Sequence, residues 1–223
     1  MSFTYNQVFQ IFVKVIAMLT ALPFHEFAHA YIADKMGDPT ARYQGRLTLN
    51  PLRHLDPLGS LCMVIFGFGW AKPVPINPYN FKNPKRGMAL SALAGPVSNI
   101  LFAFVALIFS KVCFYIYAVN GNESFWGFFV FFMYQLLSVI VSLNIGLAVF
   151  NLIPIPPLDG SRLVSVILPD RIAFAIEKYE QIIMLLVLFL LWRGSLDNLI
   201  IFLGDKLLSA LVWLVRLIPF TFL

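Results

Sequence analysis

Charge is scarce in this sequence. Only 12% of its 223 residues are Asp, Glu, Lys or Arg, against roughly 25% in a soluble domain. With 60% of the chain apolar, polar side chains are too few to cover a water-soluble surface. An ordinary cytosolic enzyme and a disordered tail are both excluded. Only two cysteines occur, Cys62 and Cys113, each in an apolar run. They exclude a disulfide scaffold and read as buried free thiols. No Lys or Arg precedes the first apolar run, so the N-terminus does not read as a cleavable signal peptide. Internal repeats and interdomain linkers are also missing, and residues 1–223 read as a single integral-membrane domain. The net charge of +5 sits beside apolar segments, which suits lipid headgroups rather than nucleic acid.

What is present is apolar sequence in long blocks. Stretches over 7–33, 88–118, 126–153, 172–192 and 197–220 are long enough to span a bilayer as helices. A shorter one covers 58–71. The expected fold is an all-α polytopic membrane protein with five to six transmembrane helices. Between the first two spans lies a re-entrant region rich in Gly and Pro. Residues 37–87 concentrate those helix breakers yet keep apolar runs, so irregular backbone is expected close to the membrane. Backbone of that kind must be buried in protein or line a water-filled cavity.

Charge placement predicts topology. Lys35, Arg42, Arg46 and Arg53 precede the 58–71 stretch, and Lys72, Lys82, Lys85 and Arg86 follow it. A crossing there would divide the basic residues between the two faces and cancel the positive-inside bias. The stretch is therefore expected to dip in and return, with both basic segments cytoplasmic. The 119–125 loop, with Glu123, then faces outward. The last two apolar segments are expected to turn outside near Gly194 and end inside; residues 171–179 read either as a short interfacial helix or as the opening of the first of the two. Residues 42–50 and 74–77 alternate enough to suggest short β-strands, whose free edge could take a substrate strand.

Two of the three histidines stand in His25-Glu26-Phe27-Ala28-His29. On a helix, positions four apart share a face, so both imidazoles can bind one Zn²⁺. Glu26 lies within reach of the water such a metal would activate. A catalytic zinc needs a third protein ligand; the other acids and His54 are candidates. Asp159 stands out, because Pro154, Pro156 and Pro157 must stop the preceding apolar helix and leave a carboxylate at its end. Pro23 is expected to loosen the helix just before His25.

These segments resemble the site-2 protease family of intramembrane zinc metalloproteases, peptidase family M50, in its compact branch without a PDZ domain. The resemblance rests on HEFAHA at 25–30, GDPTA at 37–41, GRLTLNP at 45–51 and HLDPLG at 54–59. GWAKPVP at 69–75, AGPVSN at 94–99 and NLIPIPPLDG at 151–160 complete it in the family's order. It implies one Zn²⁺ per chain, held by His25, His29 and Asp159, with Glu26 as general base. Asn151 is implied as a donor to substrate or oxyanion. His54 is a candidate additional donor or ligand, and Asn99 a candidate for a direct part in the site. The function implied is hydrolysis of peptide bonds within or beside transmembrane segments of membrane-protein clients. The expected location is the cell membrane, with the active site toward the cytoplasm. A membrane transporter and a non-catalytic binder of membrane clients are the alternatives.

Overall fold

A computed structural model describes residues 5–66, 70–120 and 125–218. Uninterrupted apolar sequence makes its long helices. Four of them, α1 (Tyr5–Lys35), α4 (Pro84–Asn120), α5 (Phe125–Leu152) and α9 (Asp197–Arg216), are long and apolar enough to cross a membrane. Pro84 opens α4, where a missing N–H costs nothing, and Asn83 caps it by accepting from the Arg86 amide at 3.1 Å. Pro23 and Pro96 lie inside α1 and α4 without ending them. The loop that carries Glu123 lies outside the described residues.

Consecutive long helices pack antiparallel. Between α1 and α4, His29 meets Ser91 and Phe24 meets Phe102. Between α4 and α5, Ser110 meets Ser138 and Phe114 meets Tyr134. The shared core joins Ala17 of α1, Ala103 and Ala106 of α4, Ile140, Val141 and Ile145 of α5, and Leu211 of α9. Small side chains matter here because lipid supplies no hydrophobic drive between helices, and close backbone approach replaces it.

In the C-terminal part, residues 171–179 take the first of their two expected forms, a short separate helix. The apolar block 172–192 divides at Tyr179 into the amphipathic α7 (Asp170–Lys178) and α8 (Glu180–Trp192). Thirteen residues of helix rise about 20 Å, short of the roughly 30 Å hydrocarbon core. Along α9, Gly204 lies against Ile145, while Val215 lines a cavity with Ser138 and Tyr134. So α9 runs antiparallel to α5 and ends on the side where α4 ends. The turn at Gly194 therefore falls on the side of Leu152.

Among the described residues no strand forms. Instead, Thr40–Tyr43 is a short helix, α2. The next stretch is spent on local turns: the Thr48 hydroxyl accepts from the Asn50 amide, and Asn50 caps a 3₁₀ turn at Pro51–Arg53. Residues 72–77 take no regular secondary structure, and Pro73 and Pro75 remove the donors a ladder needs. One antiparallel bridge, Leu55 to Ala71, is all that remains. It brings the two ends of the excursion through α3 (Pro57–Phe66) together, so the chain leaves and returns at one place.

Candidate metal centre

α1 presents His25, Glu26 and His29 inside a spanning helix, each less than a tenth exposed. Helical spacing stacks the two imidazoles at right angles, 4.5 Å between centroids. The third group arrives from far along the chain. α5 ends at Leu152, the proline-rich 153–158 segment turns, and Asp159 opens α6 (Asp159–Ser165). This turn is tight: a Cβ on Gly160 would stand 2.4 Å from the Leu152 carbonyl oxygen.

The three side chains converge on one point. His25 Nε2 lies 3.0 Å from His29 Nε2, and Asp159 Oδ2 lies 3.2 Å and 3.3 Å from them. A tetrahedral ion with bonds of about 2.0–2.1 Å has its ligands roughly 3.3 Å apart. The three atoms therefore match one face of such a tetrahedron, leaving a fourth vertex for water or substrate. Asp159 Oδ2 is buried and makes no hydrogen bond, despite its two nitrogen neighbours. Two nitrogens and a carboxylate oxygen, converging this way, fit a catalytic zinc.

α4 builds the wall behind the imidazoles. Ser91, Gly95 and Asn99 follow at intervals of four and form one stripe on α4. His29 Nδ1 donates to the Ser91 carbonyl at 2.7 Å, which leaves Nε2 with a lone pair. Asn99 Nδ2 lies 3.2 Å from His25 Nδ1. Between them, a Cβ on Gly95 would stand 2.4 Å from His29 Nε2 and 2.6 Å from His25 Cε1. Only glycine lets α4 approach this closely.

A strap without regular secondary structure, residues 71–77, reaches Glu26. Glu26 Oε2 accepts from the Val74 amide at 2.9 Å. Buried Arg46 donates through Nη2 to the carbonyls of Lys72 and Pro73, at 2.6 Å and 3.3 Å. The Lys72 amide donates to the His54 carbonyl at 2.8 Å. The far end is tied by buried Asp38, which accepts from the Asn77 amide and from Asn80 Nδ2, both at 2.7 Å, and from the Thr40 amide and hydroxyl. Burial alone raises the Asp38 carboxyl, but the Thr40 hydroxyl, the Asn80 amide and the backbone donors together hold it below the usual carboxylate value.

His54 is fully buried and lies close enough to Glu26 to feel its charge. Its Nε2 donates to the Thr48 carbonyl at 2.7 Å, and Nδ1 has no partner. Burial, with some help from Arg46, holds its pKa below the usual value despite the Thr48 bond and Glu26. His54 is therefore neutral near pH 7, and the nitrogen left over is an acceptor. Asn151 sits in the last turn of α5 and donates through Nδ2 to the Leu147 carbonyl at 2.9 Å.

The sequence profile of Peptidase family M50 matches residues 116–193. YwhC of Bacillus subtilis, named as a zinc metalloprotease, is 42% identical over 184 residues, covering 81% of this chain and 81% of YwhC. The chain belongs to peptidase family M50. Rip2 of Mycobacterium tuberculosis is 33% identical over 190 residues, 81% of this chain and 68% of Rip2. MJ0392 of Methanocaldococcus jannaschii, also named a zinc metalloprotease, is 29% identical over 162 residues, 73% of this chain and 36% of its own. No solved structure matches the chain. This M50 chain is a zinc metalloprotease, and His25, His29 and Asp159 form the group that could hold its metal. Around that group, sequence reasoning missed the Ser91 carbonyl, the Val74 amide and the Arg46 and Asp38 anchors of the M50 strap. Their roles depend on contacts between segments far apart in sequence.

Proposed function

We propose that this M50 chain is an intramembrane zinc endopeptidase that cuts membrane-protein clients within or beside their transmembrane segments. The observation that carries the proposal is the position of His25, Glu26 and His29 on α1, a helix apolar and long enough to cross the bilayer. An ionised side chain at the bilayer centre costs at least about 2.5–3.5 kcal/mol. A buried acid and two histidines so placed are best explained by chemistry performed at that depth.

In this reading His25, His29 and Asp159 are the zinc ligands. Zinc, when bound, supplies Lewis acidity toward the scissile carbonyl and the attacking water. Glu26 takes a proton from that water at Oε1, the oxygen not engaged by Val74, as the new C–O bond forms. It then delivers the proton to the departing amine nitrogen as the C–N bond breaks. Asn151 has two amide hydrogens, and one remains for the oxyanion beside the bond to Leu147. His54, expected as a further donor, has its hydrogen committed to Thr48. It serves instead by holding the 48–54 turn under the strap.

The client chain is unwound when it is cut, since helical peptide bonds are shielded by their own hydrogen bonds. Residues 1–223 act as one membrane domain in this proposal. It lies in the cell membrane, with the strap and basic segments on the cytoplasmic side. α3, ten residues long with Leu58, Leu61 and Ile65 exposed, dips into the bilayer and returns beside Leu55. A fifth crossing would require α7 and α8 to straighten into one helix. A cavity of about 280 Å³ on this side is lined by Pro78, Met88, Pro156, Ser161 and Arg162 among others. Purified Glu26→Gln should keep its zinc and lose cleavage of a single-span reporter in proteoliposomes. Wild-type turnover by that variant would sink the mechanism.

A further inference from the structure

Resting on the zinc-site reading, we infer that Asn99 is the positioning residue that makes His25 a metal ligand, by accepting a hydrogen bond through its side-chain oxygen. The two imidazoles are held unequally. His29 Nδ1 faces a backbone carbonyl, which can only accept, so its Nε2 lone pair is committed to the metal side. His25 has no carbonyl opposite Nδ1; its partner there is the Asn99 side-chain amide.

The amide in the structure turns Nδ2 toward His25, at 3.2 Å, and leaves Oδ1 buried without a hydrogen bond. That orientation suits the tautomer in which His25 carries its hydrogen on Nε2, pointing at His29 Nε2, 3.0 Å away. A ligand needs the other tautomer, with the lone pair on Nε2 and the hydrogen on Nδ1. Turning the amide by about 180° costs no room, because its oxygen and nitrogen have nearly the same size. It gives Nδ1–H an acceptor and the buried oxygen a donor, and moves Nδ2 into the place the oxygen left. Asn99 is fully buried on α4, so no bulk water competes for the bond. The contact is the side-chain counterpart of the Ser91 carbonyl, eight residues earlier on the same helix stripe. Orienting partners of this kind raise ligand basicity and commonly contribute 10–100-fold to metal affinity.

The test is zinc affinity by chelator competition on the detergent-solubilised full chain, for wild type, Asn99→Asp and Asn99→Leu. Aspartate keeps the acceptor and cannot donate when ionised; leucine has the volume and no polar atom. Expected are wild-type-like affinity in Asn99→Asp and a loss of about 10–100-fold in Asn99→Leu. The metal-free melting temperature of Asn99→Leu should not fall, and its cobalt-substituted spectrum should shift. Equal weakening in both variants would assign the nitrogen to His25 and overturn the inference. So would wild-type affinity in Asn99→Leu. Should the leucine variant not fold, the aspartate variant decides alone: retained affinity supports the acceptor, lost affinity overturns it. A wild type that binds no zinc would overturn the zinc-site reading as well.

Discussion

The backbone amide of Val74 donates to Glu26 Oε2 at 2.9 Å. Pro73 and Pro75 flank it, so Val74 is the one residue of the three with an N–H to give. In the proposed mechanism that bond leaves Oε1 as the oxygen that takes the proton. A hydrogen bond to a charged group contributes about 1.5–3 kcal/mol, or roughly 10–100-fold in rate. Val74→Pro should lower kcat on a single-span reporter by that amount with zinc content unchanged. Val74→Ala keeps the amide and should cleave like wild type. Equal activity in both variants would remove the bond from the mechanism.

Gly95→Ala should lose zinc. Its methyl would occupy space 2.4 Å from His29 Nε2, and the imidazoles cannot yield without leaving the triangle. Gly146→Ala, where a Cβ meets nothing within 4 Å, is the matched control on α5. Metal analysis of the two purified variants separates a local clash from a general intolerance of alanine in spanning helices.

Zinc should also stabilise the fold, because it joins α1 to the start of α6. A ligand at a hundred times its Kd adds about 2.7 kcal/mol. The wild-type melting temperature should fall on chelation and recover on adding zinc back. Asp159→Ala should bind little zinc, and its melting temperature should not respond to either treatment. Equal responses in both proteins would mean that Asp159 is not a ligand.

Asp38 should make the anchor of the strap sensitive to acid. Its folded pKa is depressed, so its contribution is complete above the unfolded value of about 3.9 and is lost as pH falls through the folded value. Metal-free wild type should lose thermal stability below about pH 4. Asp38→Asn should be less stable at neutral pH and flatter across that window. Parallel pH profiles would exclude Asp38 as the source.

Helix direction gives a topological prediction. In a background without Cys62 and Cys113, cysteines at Asn83 and Ser195 should label from the same side of sealed vesicles. A cysteine at Leu217 should label from the opposite side. Labelling of Ser195 and Leu217 in the reverse pattern would restore the turn expected outside at Gly194.

The centre was more legible in the sequence than the frame around it. His25, Glu26 and His29 are readable because helical spacing is local, and Asp159 because three prolines leave a helix nowhere to go. The break at Tyr179 carries no Gly or Pro, so residues 171–179 read equally as a short interfacial helix and as the opening of the next span. The alternation at 42–50 is real, but strands need partners. Thr48, Asn50 and Arg46 commit their hydrogen bonds to turns and to the strap instead. Gly95 shows the limit most clearly: a glycine in a membrane helix suggests close packing, but which atoms approach it follows only from the α1–α4 register.

The proposed ligands are split between His29 and Asp159, 130 positions apart. On a ribosome, α1 enters the membrane long before the chain that carries Asp159 exists. Through that interval the two histidines and Glu26 are present without the third ligand, and the half-made protein lacks the means to hold a catalytic ion. With the proposed ligands, the metal site has no third side chain until synthesis has passed residue 159.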